Sequence, residues 1–378
     1  MSESVEKKPA PSSAGALWGR YASPLVPVFA VFTALVVGAL MIGLTGGDWL
    51  AAYVGLWEGS VGSWGAIGNT VVRSTPYIIC GLAVALGFKG GLFNIGAEGQ
   101  LYIGAVFTIV VATTLQLPAI IHIPLALAAG ALGGALWAGL AGFLKARTGA
   151  HEVITTIMLN YVALRLTDWL IKSKQPRILG DPADTTGART HFIQESARLP
   201  GIQIADTTRL HLGILIALGL AFAVWWLLYK TTVGFELRTA GANPDAARYA
   251  GISVPRTIVL TMALSGGLAG IAGAGEVLGV RGTLSADLLL GLGFDAIAVA
   301  LLARSNPIGI IASGLLWGGL LTGASLMQVR ANLSIDVIKI VQALIIMFVA
   351  ADQIVRFIYR IPKRKPGEET SLSRGWGG

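Results

Sequence analysis

Long uncharged runs separated by short polar intervals dominate the chain. Residues 25–44 carry no charge over 20 positions, enough for one helical crossing of a bilayer, which takes about 20 apolar residues. The same pattern predicts further helices at 66–88, 100–117, 123–144, 151–171, 211–229, 257–280, 286–303, 306–327 and 337–359. The fold class that follows is all-α, a polytopic transmembrane helix bundle of about ten spans. Several runs are short or interrupted by glycine, so eight or nine full crossings plus a re-entrant piece is the alternative. The first run is longer than the roughly 7–15 residue apolar core of a cleavable leader and reads as a retained helix.

One interval breaks the pattern rather than punctuating it. Gly87 to Gly104, GFKGGLFNIGAEGQLYIG, holds six glycines with Lys89, Asn94, Glu98 and Gln100. Lipid cannot satisfy exposed backbone N–H and C=O groups, so irregular backbone at membrane depth faces protein or a water-filled cavity. Asn94 and Glu98 are four apart and share a face on a helix. An ionisable side chain at this depth turns to the bundle interior or to an aqueous path. Asn94, Glu98 and Gln100 are therefore candidates for a solute pathway or its gate. A tight turn whose backbone Asn94 and Gln100 satisfy is the alternative.

An echo of this stretch lies further along. Gly90-Gly91-Leu92 with Ile95 and Gly99 recurs as Gly266-Gly267-Leu268 with Ile271 and Gly275, at an offset of 176. Transporters built from repeated halves hold their solute between them. An internal duplication is one reading of the echo.

Composition sharpens the class: 54% of residues are hydrophobic and 13% charged, against roughly 25% charged in soluble domains. The net charge of +8 would suit nucleic acid, but the basic residues gather at the ends of apolar runs. That is the pattern of anchoring to a lipid bilayer, not to nucleic acid. Lys89, Lys145, Arg147, Lys230, Arg304 and the cluster Arg360, Lys363, Arg364, Lys365 mark inside ends, while Asp48, Trp49, Trp57 and Glu58 mark an outside loop. Both termini fall inside, as a disordered tail over 1–24 and a basic tail over 361–378, around a membrane domain over 25–360. The interval 172–210 has six basic residues and resists a simple charge count; helix parity places it outside. One cysteine, Cys80, excludes a disulfide framework and a cysteine zinc site. His151-Glu152 is no zinc motif, because Thr155 stands where the second histidine would be. No metal site, no cofactor and no nucleophile–base set for catalysis can be read from four scattered histidines.

Two other stretches carry polar chemistry. In KARTGAHEVITTIMLNY, Glu152, Thr156 and Asn160 are spaced by four and give the helix one polar face. Thr156 and Asn160 join the pathway candidates, with a hydrogen-bonded helix seam as the alternative. In the inside loop 230–256, Asn243 suits an N-cap, Pro244 the first helical position, and Gly251 the helix end. A short capped helix over 244–250 in the main inside loop suits docking onto another protein.

The runs GLFNIGAEGQLYIGA, HEVITTIMLNY and FDAIAVALLARSNPIG resemble the membrane permeases of bacterial ABC importers. The resemblance covers nearly the whole chain. GLFNIGAEGQ is shared by a superfamily serving branched-chain amino acids and monosaccharides, and HEVITTIMLNY points to its nucleoside-type branch. The resemblance implies a location in the bacterial inner membrane, with 172–210 periplasmic and 230–256 a cytoplasmic docking loop for an ABC ATPase subunit. It also implies a second homologous permease and a solute-binding protein or lipoprotein as partners. The docking motif of such permeases is similar to EAAxxxG; Asp245-Ala246-Ala247 and Gly251 match it, with Asp for Glu. The hydrophobic-x-Leu-Pro ending is absent at its usual spacing, since Val254-Pro255 comes too early. The chain has no Gly-Lys dipeptide and so no P-loop, so ATP would be bound by the partner subunit. Nucleosides are the expected solute, moved by alternating access. A sugar, a riboflavin-like solute or a branched-chain amino acid are alternatives, and an ion-coupled secondary transporter is a further one.

Overall fold

The computed structural model describes residues 25–184, 189–205, 208–285, 289–350 and 352–361. The N-terminal tail and the C-terminal tail beyond Ile361 lie outside the described residues. In chain order the helices are α1 (Val26–Leu44), α2 (Trp49–Val61), α3 (Trp64–Lys89), α4 (Ala97–Thr114), α5 (Ala119–Thr148) and α6 (Glu152–Lys172). A two-stranded antiparallel hairpin follows, β1 (Gly201–Ala205) and β2 (Thr208–His211). Then come α7 (Gly213–Lys230), α8 (Thr232–Ala242), α9 (Pro244–Tyr249), α10 (Val254–Glu276), a π turn (Val277–Arg281), α11 (Leu292–Leu302), α12 (Gly309–Ala331), α13 (Ile335–Ala350) and α14 (Asp352–Ile358).

The chain divides into two compact units. In the one built from both ends of the described chain, α1 packs against α13 and α14. Tyr359 stacks on Phe29 at 4.6 Å and its hydroxyl pairs with Thr33 Oγ1 at 3.0 Å.

The other unit, residues 50–333, holds the bundle proper. Its densest packing is α5 on α10, with α4 against both and α3 on α10, α11 and α12. Small residues make that contact: a Cβ at Gly134 or Gly270 would overlap the backbone of the facing helix, at Gly266 and Gly130 respectively. With no aqueous driving force between membrane helices, such close backbone approach supplies the dispersion contacts that hold them.

The two ends of the bundle differ. The segment after α6 is strapped to the C-terminal ends of α4 and α10: Gln194 N–H donates to Ala112 O, Ile193 N–H to Gly282 O and Leu199 N–H to Leu278 O, each 2.9 Å. At the opposite end α8 meets the turn after α3, where a Cβ on Gly91 would run into the Gly241 backbone. The basic loop that resisted the charge count thus lies at the end away from the 230–256 segment.

Three expectations change, and that of an all-α bundle of about ten spans is met in part. Residues 49–61 form a helix, not a loop, because Gly55 and Gly59 let α2 lie against the α12 backbone near Met327 and Gly323, and Glu58 pairs with Arg330. Six described helices are long and apolar enough to cross a membrane: α3, α4, α5, α7, α10 with its π turn, and α12. Among the described residues of the run 286–303 the helix is the 11-residue α11, about 16 Å long at 1.5 Å per residue. The echo at offset 176 does not join equivalent places, since Gly90 and Gly91 lie in a turn and Gly266 and Gly267 lie inside α10. A likeness of arrangement exists elsewhere. α3–break–α4 and α10–break–α11 are each a long helix, an irregular segment and a shorter helix with a first-turn carboxylate, Glu98 or Asp295.

Candidate functional site

The glycine stretch is a helix ending followed by a clamped re-entry. Gly91, at φ +72°, closes α3 in the left-handed region that favours glycine. Leu92 N–H donates to Gly87 O and Gly91 N–H to Phe88 O, the paired bonds of a Schellman ending. The chain then crosses to α4, and here the five sequence-predicted pathway residues converge.

Asn94 and Gln100 exchange amide hydrogen bonds at 2.9 Å in both directions. Asn94 also donates to Ser265 Oγ on α10 at 2.8 Å and accepts from Gly96 N–H at 2.9 Å. Asn160 on α6 accepts from Gly99 N–H at 2.9 Å and donates to Ile95 O at 3.0 Å. Thr156 Oγ1 bonds back to Glu152 O at 2.7 Å. Glu98 reaches across to α11: its two carboxylate oxygens accept from Gly291 N–H and Gly293 N–H, each at 2.6 Å. A helix N-terminus presents unsatisfied N–H groups and a partial positive charge, so the carboxylate is matched there in both respects. All five side chains are buried. What the arrangement does chemically is join the starts of two helices and tie them to α6 and α10.

A second polar set is spread over α3, α10 and α11. Asn69, Arg73 and Tyr77 follow each other at four-residue spacing along α3 and so share a face. The Asp295 carboxylate on α11 faces the Tyr77 hydroxyl and the Trp317 indole. Glu276 on α10 lies within electrostatic reach of Arg73 and Arg281. Trp317 is 1% exposed, and its indole N–H closes no hydrogen bond of ordinary geometry. Carboxylates on apolar, membrane-length segments, as Glu276 is on α10, mark solute or ion routes by default. None of these residues stands among the five pathway candidates that the sequence points to. The legible signal was two carboxylates, Glu276 and Asp295, inside apolar runs.

At the hairpin end of α3 lies a cavity of about 630 Å³, reached by Asn69, Glu195, Arg198, Gln203 and His211. At the other end is the short helix α9. Asn243 Oδ1 caps it by accepting from the N–H groups of Asp245 and Ala246 at 3.0 Å, and Gly251 follows it at φ +81°. Ala247 is buried against Ala240 and Val254, whereas Asp245, Ala246 and Arg248 are exposed and Tyr249 is 96% exposed.

The family described as branched-chain amino acid transport system / permease component matches residues 66–350. The chain belongs to this family. It is 44% identical over 350 residues to the guanosine ABC transporter permease protein NupP of Bacillus subtilis (strain 168), covering 90% of this chain and 97% of that protein. It is 36% identical over 358 residues to the nucleoside ABC transporter permease protein NupB of Lactococcus lactis subsp. cremoris (strain MG1363), covering 93% and 97%. It is 33% identical over 344 residues to the glucose ABC transporter permease protein TsgB13 of Haloferax volcanii, covering 89% and 88%. Each of these relatives is named as the permease protein of an ABC transporter.

Proposed function

We propose that the chain is a membrane-spanning subunit of an ATP-driven importer that carries nucleosides inward. The observation that supports this most is near full-length similarity, over 97% of each, to permeases named for guanosine and for nucleosides. The bundle suits that cargo. A neutral solute with ribose hydroxyls and base edges needs donors and acceptors along its route, and the face made by Asn69, Arg73, Tyr77, Glu276 and Asp295 offers both.

In this reading α1, α6 and α13 also cross the inner membrane, as the six long helices do. α11 is a half-helix entering to mid-depth. The hairpin end is periplasmic and receives solute from a binding protein, while both termini and the α8–α9 end are cytoplasmic. A second homologous permease completes the pathway. Asn94, Glu98, Gln100, Thr156 and Asn160 form the frame of the gate, and the solute touches the α3–α10–α11 face instead. ATP is bound by a partner ATPase, which docks on α9.

Uptake of tritiated guanosine tests the whole reading. Cells producing this chain with its ATPase, second permease and binding protein take up the label, excess inosine competes and excess glucose does not. Uptake persists when the proton gradient is collapsed and stops when the ATPase is inactivated. Loss of uptake on collapse of the gradient alone, at unchanged ATP, would sink it.

The docking surface has its own test. Because Ala247 is buried, substitution there acts through the fold of α9 and says little about contact. Tyr249 is the exposed aromatic, of the kind that anchors interfaces. Tyr249→Ala is expected to reduce co-purification of the ATPase by about tenfold, the size of a modest hot-spot loss. Full retention of ATPase and of ATP-driven uptake would remove α9 from the docking role.

A further inference from the structure

The cavity beside the hairpin contains one buried side chain whose chemistry is only half used. His211 ends β2 and is 4% exposed. Its ring sits between two glycines: a Cβ on Gly279, in the π turn, would come within 2.8 Å of the ring, and one on Gly213 within 2.5 Å. Gly213 N–H donates to His211 Nδ1 at 3.1 Å, so Nδ1 is an acceptor there and carries no proton. Burial holds the imidazole below its usual range, so the ring is neutral at pH 7 and its proton resides on Nε2. That Nε2–H has no hydrogen-bond partner and is closed to water in this conformation, although the residue lines the cavity, so a solute reaches it with a small turn of the ring. An unmade bond at a buried donor is unfavourable, and such groups in native structures call for an explanation.

The rest of the lining suits an uncharged occupant. Its charged groups, Arg198 and Glu195, neutralise one another across 3.3 Å, so the wall carries no net charge to select an ion. Asn69 and Gln203 add amide donors and acceptors. The volume, about 630 Å³, falls in the range of small-molecule sites, roughly 300–1,000 Å³. Asn69 also begins the polar face that continues through Arg73 and Tyr77, so the cavity opens at the head of that face. The π turn that supplies Gly279 is an irregularity found frequently at functional sites.

We infer that this cavity is an acceptance site for the solute, a neutral, hydroxyl- and heteroatom-bearing molecule such as a nucleoside, and that His211 Nε2–H donates to one of its acceptor atoms. The inference rests on the proposed nucleoside import and adds a place and a contact to it. Loading at this site precedes passage along the α3 face. His211 also has a structural duty, since its Nδ1 holds the start of α7, and the two duties reside on different ring atoms.

Two substitutions separate them. His211→Asn keeps an acceptor near the Nδ1 position and removes the Nε2 donor. His211→Gln keeps a donor near the Nε2 position and gives up the Nδ1 acceptor. The assembled permease–ATPase complex in lipid nanodiscs, without binding protein, is titrated with tritiated guanosine, and thermal unfolding is recorded in parallel. His211→Asn is expected to weaken guanosine binding about fivefold at unchanged unfolding temperature, as loss of one neutral hydrogen bond would. His211→Gln is expected to bind nearly as the parent does while unfolding earlier. Guanosine binding by His211→Asn equal to the parent would overturn the inference. A third variant works from the opposite wall: Val280→Trp narrows the cavity without touching the α7 cap, and unchanged binding there would also overturn it. If the complete system imports guanosine yet the parent complex binds none without its binding protein, the acceptance site is wrong and the import reading stands. If the complete system imports no guanosine, the import reading itself fails.

Discussion

Replacing Glu98 by alanine is expected to abolish uptake and to lower the thermal stability of the solubilised protein. The carboxylate is fully buried and both its oxygens are used, each accepting an N–H from the start of α11 at 2.6 Å. Alanine leaves the N–H groups of Gly291 and Gly293 without this acceptor, the second fully buried and the first partly so. At about 1–3 kcal/mol for each buried unsatisfied group, the loss is a large fraction of an ordinary folding free energy of about 5–15 kcal/mol. Glu98→Gln retains one accepting oxygen and turns an NH₂ toward the other N–H, so an intermediate defect is expected. Thermal unfolding followed by size-exclusion chromatography, beside guanosine uptake, checks both. Uptake and unfolding temperature unchanged in Glu98→Ala would show that α11 does not depend on this bridge.

Gly270→Leu is expected to be more severe, leaving no folded protein to assay. The α5 and α10 backbones touch at this level, and a Cβ on Gly270 would overlap the Gly130 carbonyl. Overpacking a core by a few methylenes costs typically about 1–3 kcal/mol when side chains can shift; here the obstruction is main chain and cannot rotate away. Gly219→Leu on α7 is the matched control, because a Cβ there meets nothing within 4 Å. Fluorescence-detected size exclusion should show aggregate for Gly270→Leu and a sharp folded peak for Gly219→Leu. Two similar peaks would contradict the close α5–α10 approach.

Local chemistry was the legible part of this chain. Asn243, Pro244 and Gly251 announce α9 within a few residues, since a cap bonds to N–H groups two and three positions on. The glycine stretch was likewise visible as a break in an apolar run, and the polar spacing of Glu152, Thr156 and Asn160 did mark a buried face. What could not be read is what those groups meet. Glu98 finds its partners 193 and 195 positions away, and nothing in the spacing of either segment names the other. Hydropathy alone does not show where α11 begins, because Leu289 and Leu290 continue the apolar run, while Gly291 at φ +88° caps a helix that starts at Leu292. The orientation of Ala247 depends on contact with Ala240 and Val254, which only the folded loop brings together. His211 carried no sequence signal, because its environment comes from a β-hairpin, an α-helix start and a π turn.

The meeting of Gly91 with Gly241 has a mechanical side. Two residues separate Gly241 from the first residue of α9, and at Gly241 main chain rests on main chain, with no side chain between. A side chain can absorb a displacement by changing rotamer; two abutting backbones cannot. A push delivered to α9 therefore reaches the turn after α3 almost undamped, and that turn leads within six residues to α4, whose first-turn Glu98 holds α11 by two short bonds. Stiffness at this junction, rather than any single polar group, sets how much of a stroke on the outside of the bundle arrives at its centre.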